Sequence, residues 1–322
     1  MTRRVLILGG TGWLGRRVAA VAVASGAEVV CLARGTSGKV PEGARLIAAD
    51  RREPGAYAEA TGDWDEVVEV AYEAELVEPG LVALAPRAAH WTLVSTVSVY
   101  ASDDEPNADE SAALVEPTDP AGYADAKVIA ERMSADHLGD RLLIARPGLI
   151  VGPGDGSDRF GYWPARLARG GRVIVPMAAG RHAQVIDVDD LTAWIELAGR
   201  KRALGAVNAV GDSHAMADFF SEAVEVTDFS GELVALDDDT LVAEDVHYWA
   251  GPRSLPLWLP VEAKGFAQRS NAAYRASGGA LRPLGETLAR SLADERERGI
   301  DRPRRSGLAA EDEAAILEAV AL

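Results

Sequence analysis

The sequence predicts an α/β protein built on a doubly wound parallel sheet. Three observations lead to this prediction: short apolar runs alternate with helical patterns, each run is continuously apolar, and a glycine-rich turn follows the first run. Continuous apolar runs are typical of strands that helices cover on both faces. Strands that alternate with helices favour parallel pairing, because each helix returns the chain across the sheet. The predicted strands span residues 4–8, 28–32, 45–48, 66–70, 91–95 and 142–145.

Helical patterns connect these strands. One helix is predicted to end at Gly26, and its apolar face comprises Leu14, Val18, Val21, Ala22 and Ser25. A second pattern spans residues 123–138. The second half of the chain is less regular, with helices predicted at 160–169 and 190–200, a short strand at 184–188, and a strand at 206–210 that rejoins the main sheet.

No linker marks a clean boundary between domains. We therefore predict a smaller C-terminal lobe interleaved with the sheet domain rather than two separate units. The sheet domain would comprise residues 1–158, rejoined by about 184–215, and the smaller lobe residues 159–183 and 216–322.

Composition excludes several classes of protein. The 322 residues are 48% hydrophobic and 26% charged, which excludes a disordered or low-complexity chain. The net charge of −17 disfavours binding to nucleic acid or to an anionic membrane surface. A single cysteine cannot form an internal disulfide, and no histidine or cysteine spacing predicts a metal site. The apolar runs are too short to span a bilayer, and the opening run is broken by glycines, unlike a signal peptide. We expect a cytoplasmic protein that acts on a small molecule.

The strongest motif is the glycine-rich turn after the first strand. Gly9 permits the tight turn, Gly12 allows a pyrophosphate to approach the backbone, and Gly15 lets the following helix pack against the strand. The free N–H groups at the start of that helix favour bound phosphate. The pattern predicts a Rossmann-type dinucleotide site, which also includes Thr11, Trp13 and Leu14.

Two further motifs are weak when taken alone. Tyr123 and Lys127 are four residues apart on a predicted helix, so both can point at one ligand. A buried strand ends in a cluster of hydroxyl residues around Thr96, which alone is best explained as a turn or cap. Their order after the glycine turn gives both motifs more weight.

Together the three motifs resemble the extended short-chain dehydrogenase/reductase family. Residues 145–153, Ala-Arg-Pro-Gly-Leu-Ile-Val-Gly-Pro, are similar to the segment of that family that closes over the nicotinamide, and residues 184–191 to its Asp-rich strand-to-helix element. The resemblance extends over about residues 4–215 and weakens beyond. It implies a nicotinamide cofactor and a homodimer.

The resemblance also implies roles for individual residues. Tyr123 would be the general acid/base, Lys127 would bind the nicotinamide ribose and lower the pKa of the tyrosine, and Thr96 would hydrogen-bond the substrate oxygen. The remaining cofactor positions would be Asp50 and Arg51 at the adenine, Ala71 after the fourth strand, and Pro147 and Ile150 at the nicotinamide. Tyr72 and Glu73 depart from the family, in which many members have a short alanine-rich run.

The end of the second strand predicts NADP rather than NAD. An acidic residue at this position would accept hydrogen bonds from the adenosine ribose of NAD and repel the 2′-phosphate of NADP. Here Ala33 occupies that position and Arg34 follows, and a guanidinium binds phosphate through paired charge-assisted hydrogen bonds.

Three functions agree with these motifs. The first is an NADP-dependent oxidoreductase acting on a carbonyl or alcohol. The second is a nucleotide-sugar epimerase or dehydratase with a tightly held cofactor, and the third is a non-catalytic cofactor-sensing protein. Tyr123 and Lys127 argue against the third. We also expect Trp249 or Trp258 to border the substrate pocket, because large aromatic rings among prolines suit an apolar wall.

Overall fold

The computed structural model describes residues 2–320 and confirms the predicted α/β fold. Its strands, in chain order, are β1 Arg4–Leu8, β2 Glu28–Ala33, β3 Ala44–Ala48, β4 Glu66–Glu69, β5 Trp91–Val94, β6 Leu142–Pro147, β7 Leu149–Val151, β8 Arg172–Pro176, β9 His182–Asp187, β10 Gly205–Ala209, β11 Ser213–Ala215, β12 Glu232–Leu236, β13 His247–Trp249 and β14 Ser254–Pro256. All six strands predicted in the first half are present, with ends shifted by one or two residues.

The helices, in the same order, are α1 Trp13–Ala24, α2 Ala74–Leu84, α3 Tyr123–Leu138, α4 Tyr162–Ala168, α5 Val188–Lys201, α6 Met216–Thr227, α7 Asp238–Ala243, α8 Ala272–Ala276, α9 Leu284–Arg298 and α10 Ala310–Ala319. The predicted helix at 123–138 corresponds to α3. The predicted strand at 206–210 corresponds to β10, which does rejoin the main sheet.

The central sheet has seven parallel strands in the order β10-β6-β5-β4-β1-β2-β3. Alternate residues of β1 face opposite sides: Val5 and Ile7 pack with α1 and α5, whereas Leu6 and Leu8 pack with α2. Burial on both faces explains why these strands are continuously apolar in sequence. The strand order reverses between β1 and β4, and ligands of such sheets bind at the carboxyl edge beside this reversal.

A second core lies in the C-terminal half. It joins α4, α6 and α9 to β8 and β14 through large side chains that include Phe160, Trp163, Phe219 and Trp258. Two small sheets flank it, β11-β9-β7 and β12-β8. The division of the chain between a sheet domain and a smaller lobe stays a prediction.

The helix α3 is fixed to the sheet by a buried ion pair. Arg146 of β6 donates from Nε and Nη2 to the two carboxylate oxygens of Glu131, at 3.0 and 2.7 Å, and both side chains are almost fully buried. Ser95, at the end of β5, donates to the same carboxylate at 2.5 Å. These contacts set the position of α3 against the carboxyl ends of β5 and β6.

The first turn of α1 gives a matched pair of glycine substitutions. A Cβ at Gly15 would lie 2.4 Å from the Gly9 carbonyl oxygen, whereas a Cβ at Gly12 would meet its nearest atom at 3.7 Å. We expect Gly15→Ala to lower the free energy of unfolding by about 1–3 kcal/mol, because the backbone clash outweighs the better helix propensity of alanine. Gly12→Ala should unfold at nearly the wild-type urea concentration. Equal stability of the two variants would contradict this account of the turn.

Candidate active site at the carboxyl edge of the sheet

The glycine turn brings the start of α1 close to the end of β1. Gly9 has φ +99°, which favours glycine, and a Cβ there would lie 2.5 Å from Val70 Cγ2. The near-contact between Gly15 and the Gly9 carbonyl lets α1 begin directly above the strand. Gly12, at the N-terminus of α1, keeps open space in front of its backbone. This arrangement has the form of a cradle for a pyrophosphate.

A pocket of about 180 Å³ lies beside this turn, across the ends of β1, β2 and β3. It brings together seven residues that the sequence predicted at the cofactor, Gly9, Thr11, Gly12, Arg34, Asp50, Arg51 and Ala71. It also includes residues that the sequence analysis missed, namely Thr36, Ser37, Arg52 and Leu76. The sequence does contain a signal for Thr36 and Ser37, because both are small hydroxyl residues in the loop that follows the second strand. The pocket and the open glycine turn fit the adenosine and phosphate portion of a dinucleotide.

The second strand ends without a carboxylate at this pocket. Ala33 lies in the wall, and the exposed Arg34 side chain has no hydrogen-bond or ion-pair partner within the part of the chain that the structure describes. Arg16 of α1 approaches Gly38 in the following loop, which adds a second cation near this side of the pocket. The end of β2 therefore presents positive charge to the pocket, and the carboxylate of Asp50 lies at the end of β3.

Arg51 is positioned differently from Arg34. Its guanidinium is buried and forms a two-pronged ion pair with Glu69, at the end of β4, and it also donates to the Leu76 carbonyl oxygen at 2.7 Å. Glu69 raises the pKa of Arg51 against the opposing effect of burial. Arg51 lines the pocket, but its charge is engaged by Glu69, so the pair fixes the wall that carries Ala71. The Ala71 N–H donates to the same carboxylate at 2.9 Å.

The structure places Thr96 and Tyr123 side by side. Thr96 follows β5 and accepts from the Ser98 N–H at 3.2 Å, which starts a short 3₁₀ turn over Val97–Val99. Tyr123 is the first residue of α3 and is 49% exposed. Burial of its hydroxyl raises the pKa of Tyr123, while the Thr96 hydroxyl and the positive charge of Arg159 oppose that rise.

Lys127 lies one turn further along α3 and is buried. Its Nζ donates to the Val94 carbonyl oxygen at 2.6 Å and lies 4.9 Å from the centroid of the Tyr72 ring. Burial lowers the pKa of Lys127 to about 8, although Glu69, Glu73 and Glu131 favour its charged form. The cation that acts on the Tyr123 phenol in this structure is therefore Arg159, whereas the ammonium of Lys127 faces the end of β5.

The Tyr72 side chain contacts both Tyr123 and Lys127. Its ring packs edge-on against Tyr123, with centroids 5.2 Å apart, and covers the ammonium of Lys127. The bulky residue at this departure from the family therefore lies between the two side chains that the sequence predicted to act together.

The segment at 147–153 lies next to the glycine turn. Pro147 ends β6, and Ile150 of β7 and Leu14 of α1 both pack against the core on this face of the sheet. The Pro153 carbonyl oxygen accepts two hydrogen bonds from α1, from Trp13 Nε1 at 3.0 Å and from Arg17 Nη2 at 2.8 Å. Trp13 thus joins the start of α1 to the loop that follows β7.

The two tryptophans of the C-terminal half differ. Trp258 is fully buried, and its Nε1 donates to Asp238 at 3.0 Å, so it is part of the lobe core and its predicted place at the pocket is wrong. Trp249 is partly exposed and its ring lies against Arg159, 5.2 Å from the guanidinium carbon. Arg159 was missed by the sequence analysis, because no motif distinguishes it from other arginines of an irregular loop.

Two classes of site are absent from residues 2–320. No group of three or more histidine, cysteine or carboxylate side chains there could hold a metal ion. No helix in the same range is both long and apolar enough to cross a membrane.

Comparison with known proteins agrees with this geometry. Residues 5–79 match the model of the NAD dependent epimerase/dehydratase family, and no curated protein matches the sequence. The fold is similar to that of a candidate epimerase from Burkholderia cenocepacia J2315, with 23% identity over 92% of this chain and 98% of the other and a TM-score of 0.70.

Two further structures of similar fold contain nicotinamide cofactors. The UDP-glucuronic acid 4-epimerase of Bacillus cereus, in complex with NAD, is 14% identical over 92% of this chain and 99% of that one, with a TM-score of 0.67. RMD from Pseudomonas aeruginosa, complexed with NADPH, is 19% identical over 92% and 100% of the two chains, with a TM-score of 0.65. The predicted resemblance to the extended short-chain dehydrogenase/reductases is confirmed by the family match over residues 5–79, and the solved structures confirm the fold.

The buried Lys127 makes stability depend on pH. Because its pKa is about 8 in the folded protein and higher in the unfolded chain, the unfolded chain binds more protons between these values. The contribution of Lys127 to the free energy of unfolding therefore rises with pH in that range. We expect the stability of wild type relative to Lys127→Met to increase by roughly 2 kcal/mol between about pH 8 and about pH 10. Urea titrations measure this difference, with the exposed Lys201→Met as the control. Parallel pH curves for wild type and Lys127→Met would show that the lysine is not desolvated.

Proposed function

We propose that this protein is an NADP-dependent oxidoreductase that acts on a carbonyl or alcohol group of a small molecule. The observation that carries the proposal is the pairing of Tyr123 with Thr96 at the carboxyl edge of the sheet, next to the open glycine turn. A proton donor and a second hydroxyl that converge on one point suit a substrate oxygen that gains or loses a proton. Bound there, a nicotinamide cofactor supplies or accepts a hydride.

Other residues of the chain would bind the cofactor, and the site residues would position the substrate oxygen and hold its proton. The turn at Gly9–Gly15 would hold the pyrophosphate, Arg34 the 2′-phosphate, and Asp50 and Ala71 the adenosine side of the pocket. Pro147 and Ile150 would lie on the nicotinamide side. Tyr123 holds the proton at its phenol oxygen, and Thr96 donates to the same substrate oxygen. The positive charge of Arg159 makes the phenolate less costly, since an adjacent cation favours the ionised form.

In this proposal, Lys127 binds the cofactor only after the Tyr72 ring has moved. Its ammonium would bind the nicotinamide ribose once the Tyr72 ring has turned away from it. Desolvation makes such a partner favourable, because a buried ammonium gains more from a new acceptor than an exposed one.

A second candidate function is epimerisation or dehydration of a nucleotide sugar. It is favoured by the matched family model and by the epimerases of similar fold. Enzymes of this kind return the hydride to the same substrate and keep their cofactor. A cofactor that stays bound through gel filtration would favour this candidate, and free exchange with added NADPH would favour the oxidoreductase.

Tyr123→Phe tests the role of the phenol. We expect kcat in an NADPH-oxidation assay with a panel of aldehydes and ketones to fall by about 10²–10⁴-fold, the usual contribution of general acid catalysis. NADPH affinity should remain close to that of wild type. Tyr248→Phe is the matched control, because its hydroxyl contacts Asp238 in the C-terminal half. If Tyr123→Phe keeps more than about a tenth of the wild-type kcat, the assignment of the phenol as proton donor is incorrect.

Arg34→Ala tests the choice of cofactor. We expect wild type to bind NADPH at least about tenfold more tightly than NADH, because a guanidinium binds the 2′-phosphate and no carboxylate repels it. Arg34→Ala should bind both cofactors about equally, while the exposed Arg132→Ala should keep the preference. Fluorescence titration of both cofactors measures these affinities. Equal affinities in the wild type, or a preference that survives Arg34→Ala, would rule out this role of Arg34.

A further inference from the structure

The loop between β7 and α4 carries an arginine without a charged partner. Within residues 2–320, no carboxylate oxygen forms an ion pair with Arg159, and its terminal nitrogens donate to no protein acceptor. Its Nε donates to Ser157 Oγ at 3.3 Å. The acidic side chain that acts on it, Asp155, accepts instead from the Ser157 N–H and hydroxyl, at 2.8 and 2.9 Å. Burial lowers the pKa of Arg159, and the charges of Asp155 and Tyr123 only partly oppose this effect.

Several other arginines of the same half of the protein are paired with carboxylates. Arg166 contacts Glu313, Arg181 contacts Asp238 and Arg253 contacts Asp312. The chain contains 50 acidic residues against 33 basic ones, so carboxylates are abundant. A partly desolvated guanidinium without a counter-ion costs free energy, and this cost is recovered when an anion binds.

The loop around Arg159 is held rigidly. The neighbouring Asp158 accepts from Arg298, Arg302 and the Arg305 N–H, and the Asp155 carbonyl oxygen accepts from Arg298 at 2.9 Å. The position of Arg159 is therefore fixed by contacts that do not involve its own charge. Pre-organisation of this kind raises affinity, because the ligand does not have to order the loop.

Trp249 lies beside the Arg159 side chain. Its ring contacts the Arg159 guanidinium, and Phe266 packs edge-on behind it with centroids 5.2 Å apart. The backbone of Trp249 has φ +70°, a conformation that a bulky residue rarely adopts. Strain of this kind is typical of functional sites, where the surrounding structure fixes a side chain in an unfavourable backbone conformation. Stacking on a partly exposed ring is too weak to replace an ion pair in a desolvated site.

Arg159 also faces the proposed proton donor. Its charge lowers the pKa of Tyr123, and the phenol in turn favours the charged form of Arg159. The Arg159 guanidinium and the Tyr123 phenol therefore interact electrostatically.

We propose that Arg159 binds a carboxylate or phosphate group of the substrate, with Trp249 as the apolar wall beside it. The proposal rests on the proposed function, because it places this anionic group next to the carbon that reacts at Tyr123. The two terminal nitrogens of a guanidinium match the two oxygens of such a group with parallel hydrogen bonds. The substrate class is thus an anionic carbonyl or alcohol compound.

Calorimetric titration tests this binding without turnover. The protein, saturated with NADP⁺, is titrated with benzoate for the carboxylate, phenyl phosphate for the phosphate and benzyl alcohol as the neutral analogue. We expect one of the two anions to bind at least about tenfold more tightly than benzyl alcohol. Arg159→Met, which keeps the apolar stem over Trp249, should lose this difference, and Arg159→Lys should retain part of it. Arg172→Met, an exposed arginine paired with Glu232, is the matched control and should bind as wild type does.

The outcomes separate this inference from the proposed function. Equal binding of the anions and benzyl alcohol by wild type, or anion binding that survives Arg159→Met, would overturn the inference. Tyr123→Phe should bind the anion normally, because the phenol contributes no positive charge. Anion binding that depends on Arg159, in a protein that reduces no aldehyde or ketone, would support the anion site and refute the oxidoreductase.

Discussion

The candidate site depends on one buried ion pair, between Glu131 of α3 and Arg146 of β6. Tyr123 and Lys127 precede Glu131 by two turns and one turn on the same helix, so their distance from the sheet is set where Glu131 meets Arg146. Breaking such a pair by removing one partner costs about 3–5 kcal/mol, because the remaining charge stays buried. Its remaining hydrogen bonds are satisfied too: Ser95 donates to Glu131, and Arg146 donates to Tyr100 Oη at 3.1 Å. The polar network therefore has little freedom to shift α3 along the sheet.

Much of the architecture could be predicted from sequence because its causes are local. The strands are buried on both faces, so each appears as an apolar run, and the turn after β1 requires glycine at Gly9 and Gly15 for reasons of φ and close approach. The helix at 123–138 was predicted over its whole length from its periodicity. The pocket beside Gly12 follows from the same local pattern, together with the rule that ligands bind at the carboxyl edge of such a sheet.

The contacts that give the site its chemistry could not be predicted in the same way. Tyr72 covers Lys127 because the end of β4 and the second turn of α3 are neighbours only in the folded protein. Arg51 has the same chemistry as Arg34, yet Glu69 engages one and leaves the other exposed. Arg159 lies in an irregular loop and Trp249 ends a three-residue strand ninety residues later, so periodicity gives no signal for their contact. In each case the deciding partner is distant in sequence.

Two hydrogen bonds to the Pro153 carbonyl oxygen link α1 to the loop between β7 and α4. Trp13 and Arg17 belong to the helix whose N-terminus faces the glycine turn, and Pro153 belongs to the loop that presents Arg159. A displacement of α1 is therefore transmitted to that loop through two bonds rather than through solvent. A ligand in the glycine turn that displaces α1 would act on the loop of Arg159 through these bonds, and such a coupling is reciprocal: each ligand alters the affinity for the other by the same factor.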